Sequence, residues 1–305
     1  MRVISKKSRK LGSDQSFAAL VLSAPAVFLM LLFILVPFGM SIGFSFTDKM
    51  LVASKDLKVN FVGIENYIKL FTSPSFGKAC LNTLQYTVIV VPSILVLSIL
   101  LAVLINKRMK GIVLFRAIYF SPQVVTMTVV AVVWAFIYSP GENGLLNSML
   151  RLVGIEPQLW LKNPDTAMLA IAIMSIWQAL GMQSIIVLGG LQYIPSELYE
   201  AAEVDGCSNI QKFFFVTLPL LKNTLTYVIV TNMISSLRMF TQVYVLTNGG
   251  PMNSTETVIY QMYKTGFNNN QLGYSSAMAV VFCVTVLIVS ILQNKFIGAF
   301  LLSNK

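Results

Sequence analysis

The sequence predicts an all-α, polytopic membrane protein with six transmembrane helices. Hydrophobic residues make up 56% of the 305-residue chain and charged residues 11%, against about 25% charged in an ordinary soluble domain. Six apolar runs reach the roughly 20 residues that a bilayer crossing needs. They read as one helical membrane domain over 17–294, with short tails at 1–16 and 295–305 and no soluble domain attached.

In chain order the runs lie at 17–47, 84–105, 117–139, 167–194, 221–247 and 275–294. The first follows Arg2, Lys6, Lys7, Arg9 and Lys10, and Ala24-Pro25-Ala26 resembles a signal cleavage site. Its apolar stretch continues to Phe46, beyond the 7–15 residues of a signal, so it reads as a retained span. Between the first two runs, Tyr67, Leu70 and Phe71 fall at i, i+3, i+4, the pattern of a short amphipathic helix. The fifth run is interrupted by Lys222 and Arg238; the other five carry no charge.

Lys and Arg placement sets the expected orientation. With the N-terminus inside, 13 of the 22 basic residues fall in inside segments and eight outside. The densest clusters flank the first three runs, where charge has most effect on topology. Both tails and the loop of residues 195–220 are then cytoplasmic. The formal charge of +10 follows from basic loops facing an anionic inner leaflet and calls for no nucleic acid.

That inner loop is a polar island. It holds Glu197, Glu200, Glu203 and Asp205, four of the twelve acids. Pro195-Ser196 closes the fourth run, Ser196 suits an N-cap, and Glu197 and Glu200 favour a first helical turn. Gly206 is placed to end that helix in the left-handed conformation. Ala201 and Ala202 are small enough to admit a close partner. Pro219 can begin the fifth span, where its missing N–H costs nothing.

The missing motifs are equally informative. The chain has no histidine and no Asp or Glu within the runs, which disfavours His-based chemistry and ion-coupled transport. No phosphate-cradling G-x-x-x-x-G-K-[ST] loop and no G-x-S-x-G elbow occur. The three cysteines lack metal-type spacing.

Polar and aromatic residues within the runs are candidates for a solute path. They are Gln123, Gln178, Gln183, Asn232, Ser235, Ser236 and Gln242, with Trp134, Trp177 and Tyr244. Amides and hydroxyls suit sugar hydroxyls, and rings suit apolar sugar faces. Each could equally be a helix-packing contact. Arg238 lies 17 residues beyond Leu221, about 25 Å along a helix, near the outer end of a span.

On these residues the chain resembles the permease subunits of ATP-driven (ABC-type) importers. Their cytoplasmic loop carries Glu-Ala-Ala-x-x-x-Gly, nine residues, then Ile-x-Leu-Pro. The match is Glu200, Ala201, Ala202, Gly206, Leu218 and Pro219, with Val216 in the Ile position. Phe61-Val62-Gly63, Asn66-Tyr67, Leu70-Phe71, Asn82-Thr83 and Leu246-Thr247-Asn248-Gly249-Gly250-Pro251 narrow the likeness to the first permease of carbohydrate importers, of the six-span kind. Phe240 is followed by Thr241 where such proteins often have Asp, and no large external insertion is present.

The resemblance implies a type I ABC importer transmembrane domain in a bacterial cytoplasmic membrane. It implies a coupling helix at 197–206 docking on a separate ATPase, present as two copies, which uses ATP and Mg. No cofactor would be held by this chain itself. It further implies a second homologous permease, an extracytoplasmic binding protein touching Asn248, Gly249, Gly250 and Pro251, and surrounding lipid. The expected activity is carbohydrate import. A non-sugar solute such as a glycerol phosphodiester is the alternative, and an integral-membrane enzyme or scaffold a rival of another class.

Overall fold

A computed structural model describes residues 13–52, 58–106, 111–141 and 144–302. The basic residues of the N-terminal tail and Lys107, Arg108 and Lys110 lie outside the described residues. The first span is helix α1 (Ser13–Met30), a π-helical turn (Leu31–Leu35) and α2 (Val36–Ser45). None of its most apolar stretch is buried within this chain. Helix α3 (Glu65–Thr72) is the amphipathic segment expected between the first spans. Its Leu70 is fully buried against Phe76, Ala79, Val258 and Met278, and the Tyr67 hydroxyl shares a 2.7 Å hydrogen bond with Ser45. The helix is therefore fastened to the bundle, although Phe71 stays exposed.

Helix α4 (Pro74–Ile105) is capped by the Ser73 side chain and forms the second span. Its residues Tyr86, Val90, Ile94, Ser98, Ala102 and Ile105 recur at steps of three and four and are all buried. They form one stripe facing inward. The third span is α5 (Ile112–Val124) plus α6 (Met127–Ile137), followed by a surface helix α7 (Leu145–Leu152). Helix α8 (Pro164–Gln192) is the fourth span and packs along α4. The upper part of this pair meets Met239, Val243 and Tyr260, and the lower part meets Leu221, Leu225 and Val228.

The 195–220 loop contains α9 (Ser196–Val204), α10 (Asn209–Lys212), a π-helical turn (Phe213–Thr217) and α11 (Leu218–Leu220). Then come α12 (Lys222–Leu237), α13 (Thr241–Leu246), α14 (Val258–Tyr263), a third π-helical turn (Lys264–Asn268) and α15 (Leu272–Leu302). Among the described residues, four helices are long and apolar enough to cross a membrane, and two bent pairs bring the number to six when each pair is one span.

Two of the expected runs are bent. The third is folded by 100° between α5 and α6. Pro122 removes a helical donor, and Val125 and Thr126 adopt extended backbone (ψ 136° and 143°). The fifth does not run unbroken from 221 to 247. The 209–220 helical segment meets α12 at 67°, and α12 stops at Leu237, before Arg238.

Backbone freed at a break inside a membrane must find partners within the protein. The Gln178 amide donates to the Val125 carbonyl at 3.0 Å. The Thr257 hydroxyl donates to the Met239 carbonyl, also at 3.0 Å. Close helix approach fixes the first bend as well. A Cβ on Gly181 of α8 would lie 2.5 Å from the Tyr119 carbonyl oxygen, so only glycine lets α5 cross there.

Candidate functional site

Two features stand out, the 195–220 loop and the open face of α12 that leads away from it. Helix α9 starts one residue earlier than the sequence indicates. Pro195 occupies the N-cap position and Ser196 is helical, with no side-chain cap bond. The other end matches the expectation. Gly206 has φ +79°, the Gly206 N–H donates to the Glu203 carbonyl (3.0 Å), and the Cys207 N–H donates to that of Ala202 (2.9 Å). This pair of bonds closes the helix over its last carbonyls.

The two faces of α9 differ. Tyr199 and Ala202 point inward; the Tyr199 hydroxyl shares a 3.0 Å hydrogen bond with Thr217, and Ala202 is buried. The expected pair of accessible alanines is thus split, because residues one apart on a helix point to different sides. Ala201, Glu197, Glu200 and Val204 remain exposed. Glu203 pairs with Lys212 at 3.3 Å, which ties α9 to α10. Leu218 packs on the inner core cluster, whereas Pro219 is exposed. The loop is a fitted unit presenting an acidic and apolar outer surface.

Helix α12 carries the second feature. Its exposed residues are Asn223, Tyr227 and Ser235, with half-buried Thr231 on the same face and exposed Arg238 at the helix end. Steps of four, four, four and three place all five on one stripe, about 22 Å long at 1.5 Å per residue. The exposed faces of α4, α6 and α15 are different in kind. They consist mainly of Leu, Val, Ile and Phe, such as Leu84, Val96 and Leu100, Val133 and Phe136, and Leu287 and Ile291.

At the loop end of the stripe a groove of about 530 Å³ is lined by Gly189, Gly190, Tyr193, Asn223, Thr224 and Tyr227. The sequence reading passed over Asn223, Tyr227 and Thr231, and Thr224 beside them. The signal of the first three was present in the i, i+4 recurrence of polar groups that ends at Ser235.

The expected path residues separate accordingly. Ser235 and Tyr244 are exposed, Arg238 is exposed and Gln242 is half-buried. Gln178 and Asn232 are buried inside the bundle; Gln178 holds the bend, and the Asn232 amide donates to the Val228 carbonyl of its own helix at 2.7 Å. Ser236 is buried too. Gln183 is half-buried, and Gln123 is exposed on α5. Trp134 and Trp177 pack edge to face.

Opposite the 195–220 loop, residues 247–258 form a compact, well-tied turn. The Asn82 amide donates to the carbonyls of Asn253 (2.8 Å) and Glu256 (2.9 Å), and the Val258 N–H donates to the Thr83 hydroxyl (3.1 Å). The Lys78 ammonium reaches the Met252 carbonyl at 2.6 Å. Buried Glu256 pairs with Lys264 at 3.4 Å. Asn248 is exposed with φ 49°, Gly249 is buried, and Gly250 and Pro251 are half-buried. Asn82-Thr83 and the Asn-Gly-Gly-Pro turn, far apart in sequence, are therefore one structural element.

A helical membrane domain with a fitted 195–220 loop, broken spans and a polar open face has the form of a transport subunit. Residues 68–298 match the family described as binding-protein-dependent transport system inner membrane component, and the chain belongs to that family. It is 35% identical to the arabinooligosaccharides transport system permease protein AraP of Bacillus subtilis, over 80% of this chain and 78% of that one. It is 33% identical to the sulfoquinovosyl glycerol transport system permease protein SmoG of Agrobacterium fabrum, over 94% of each. Its fold matches a subunit of a bacterial ABC transporter involved in the import of the acidic polysaccharide alginate. The TM-score is 0.81 at 23% identity, covering 94% of this chain and 96% of that one.

Proposed function

We propose that this chain supplies one half of the membrane path of an ATP-driven carbohydrate importer. The observation that carries the reading is the polar open face of α12. A lipid-facing stripe of amide, hydroxyl and guanidinium groups would be costly, whereas a water-filled path between two permeases needs one. Relatives named for arabinooligosaccharides and sulfoquinovosyl glycerol support a sugar-bearing solute. A glycerol phosphodiester is the second reading and rests on Arg238; phosphate favours clustered guanidinium groups, and the stripe otherwise offers hydroxyls, an amide and a ring.

In this mechanism an extracytoplasmic binding protein delivers the solute near Asn248–Pro251, and a second homologous permease completes the pore. Two ATPase copies, using ATP and Mg, close beneath the cytoplasmic 195–220 loop. Helix α9 presents Glu200 and Ala201 to the ATPase, while Tyr199 and Ala202 pass its displacement to the 213–217 turn, Leu218 and hence α12. The chain itself breaks no bonds and holds no cofactor. Both termini lie in the cytoplasm of a bacterial cell.

The test is co-expression with a second permease and an ATPase, followed by uptake from proteoliposomes supplied with the binding protein. The wild type is expected to co-purify with both partners and to transport sugar. Glu200→Lys is expected to keep membrane insertion and lose ATPase docking and uptake. Purification of the wild type alone, or normal uptake by Glu200→Lys, would reject the coupling reading.

A further inference from the structure

The geometry points to a sugar-stacking aromatic ladder at the end of the path remote from the 195–220 loop, built from Phe240, Tyr244, Tyr263 and Phe267. The inference rests on the carbohydrate reading above and deepens it.

The rings touch in series. Phe240 and Tyr244 are 5.4 Å apart between centroids and nearly parallel, at 19°. Tyr263 meets them edge-on at 5.2 and 5.4 Å. Phe267 stacks on Tyr263 at 5.2 Å and 25°. The inner side of the row is anchored, because Phe240 also stacks against buried Tyr260 and packs on the core cluster containing Met239 and Val243. The two ends are open. Tyr244 is 44% exposed and Phe267 is 59% exposed.

The row begins where the polar stripe of α12 ends. Phe240 follows Arg238 by two residues, and half-buried Gln242 lies between Phe240 and Tyr244. Phe267 is carried on the π-helical turn Lys264–Asn268, an irregularity that recurs at functional positions. A ring row that is anchored on one side and open at both ends is a poor way to fill a core. It is a good surface for the apolar C–H faces of successive sugar rings, with tyrosine hydroxyls, the Gln242 amide and Arg238 at the edge for sugar hydroxyls. An aromatic belt against lipid would fan around the bundle; these rings instead form one line joined to a polar stripe. The class of ligand is a neutral oligosaccharide with at least two rings, handed over before it descends along α12.

The experiment uses the complete importer in proteoliposomes with its binding protein and a panel of neutral di- to pentasaccharides; glycerophosphocholine is the non-sugar control. The binding protein sets the half-saturating concentration, so the ladder is read in the maximal rate. Tyr244→Leu and Phe267→Leu are expected to lower maximal uptake about three- to ten-fold, the scale of one lost ring contact. Half-saturation stays unchanged, and Tyr244→Phe, which keeps the ring and loses only the hydroxyl, is expected to lower the rate less than Tyr244→Leu does.

Phe267→Trp, which preserves the ring, is expected to show a saturable emission change with the transported sugar and none with glycerophosphocholine. Wild-type rates in both leucine variants at normal assembly, or an emission signal from Phe267→Trp indifferent to the transported sugar, would overturn the ladder. If Tyr244→Leu fails to assemble, Phe267→Leu and the tryptophan signal still decide. Uptake of glycerophosphocholine and of no oligosaccharide by the wild type would instead reject the carbohydrate reading and the ladder's ligand with it.

Discussion

Replacing Gly206 isolates one energy term in the loop. Its φ is +79°, and a Cβ built there meets nothing within 4 Å, so a Cβ adds no clash. The cost at the Cβ is conformational. Holding an L-residue in the left-handed region costs roughly 1–2 kcal/mol, less for Asn, whose side chain tolerates it, and β-branched Val is the least tolerant.

One to two kcal/mol changes the population of the closed helix end by a factor of about 5–30. What opens is the pair of bonds from Gly206 and Cys207 to Glu203 and Ala202, and with them the register of α9 on Thr217. Uptake should therefore fall in the order Gly, Asn, Ala, Val. Faster hydrogen exchange at the Cys207 amide should track the same order. Equal uptake across the four proteins, assembled at equal level, would refute the claim that this helix end transmits force. Unchanged exchange with falling uptake would refute the conformational account.

Two further outcomes concern the bend in the third span. Gln178→Leu leaves the Val125 carbonyl without its donor and should lower the stability of the detergent-solubilised complex by about 1–3 kcal/mol, read as a fall in thermal midpoint. Gly181→Leu drives a side chain into the Tyr119 backbone, which is 2.5 Å from the ideal Cβ. Because backbone cannot give way as a flexible side chain can, it should abolish assembly and yield a protein degraded after insertion, measured by membrane immunoblot and size-exclusion profile.

Parts of the site were readable because their residue types are forced by local chemistry. Gly206 was such a case, since a left-handed helix end selects glycine regardless of what surrounds it. The start of the same helix was misjudged by one residue because Ser196 and Pro195 both suit a boundary. That Gln178 and Asn232 are buried, while Tyr227 and Thr231 lie on the open face of α12, was not legible for another reason. In a soluble helix an apolar stripe marks the core. In a membrane both lipid and protein interior are apolar, so a helix such as α8 is apolar all round and its buried face carries no mark.

The sequence by itself determined the membrane class, the position along the chain of the 195–220 loop and the glycine that ends its helix. These depend on composition, run length and local backbone preference. Only the tertiary structure decided where the third and fifth spans break, which amides hold the breaks, and which polar groups share the open face of α12. It also decided that Asn82 ties down a turn whose carbonyls lie 171 and 174 residues further along the chain. Those choices come from backbone groups seeking partners where no water reaches them, and such partners are neighbours in space rather than along the chain.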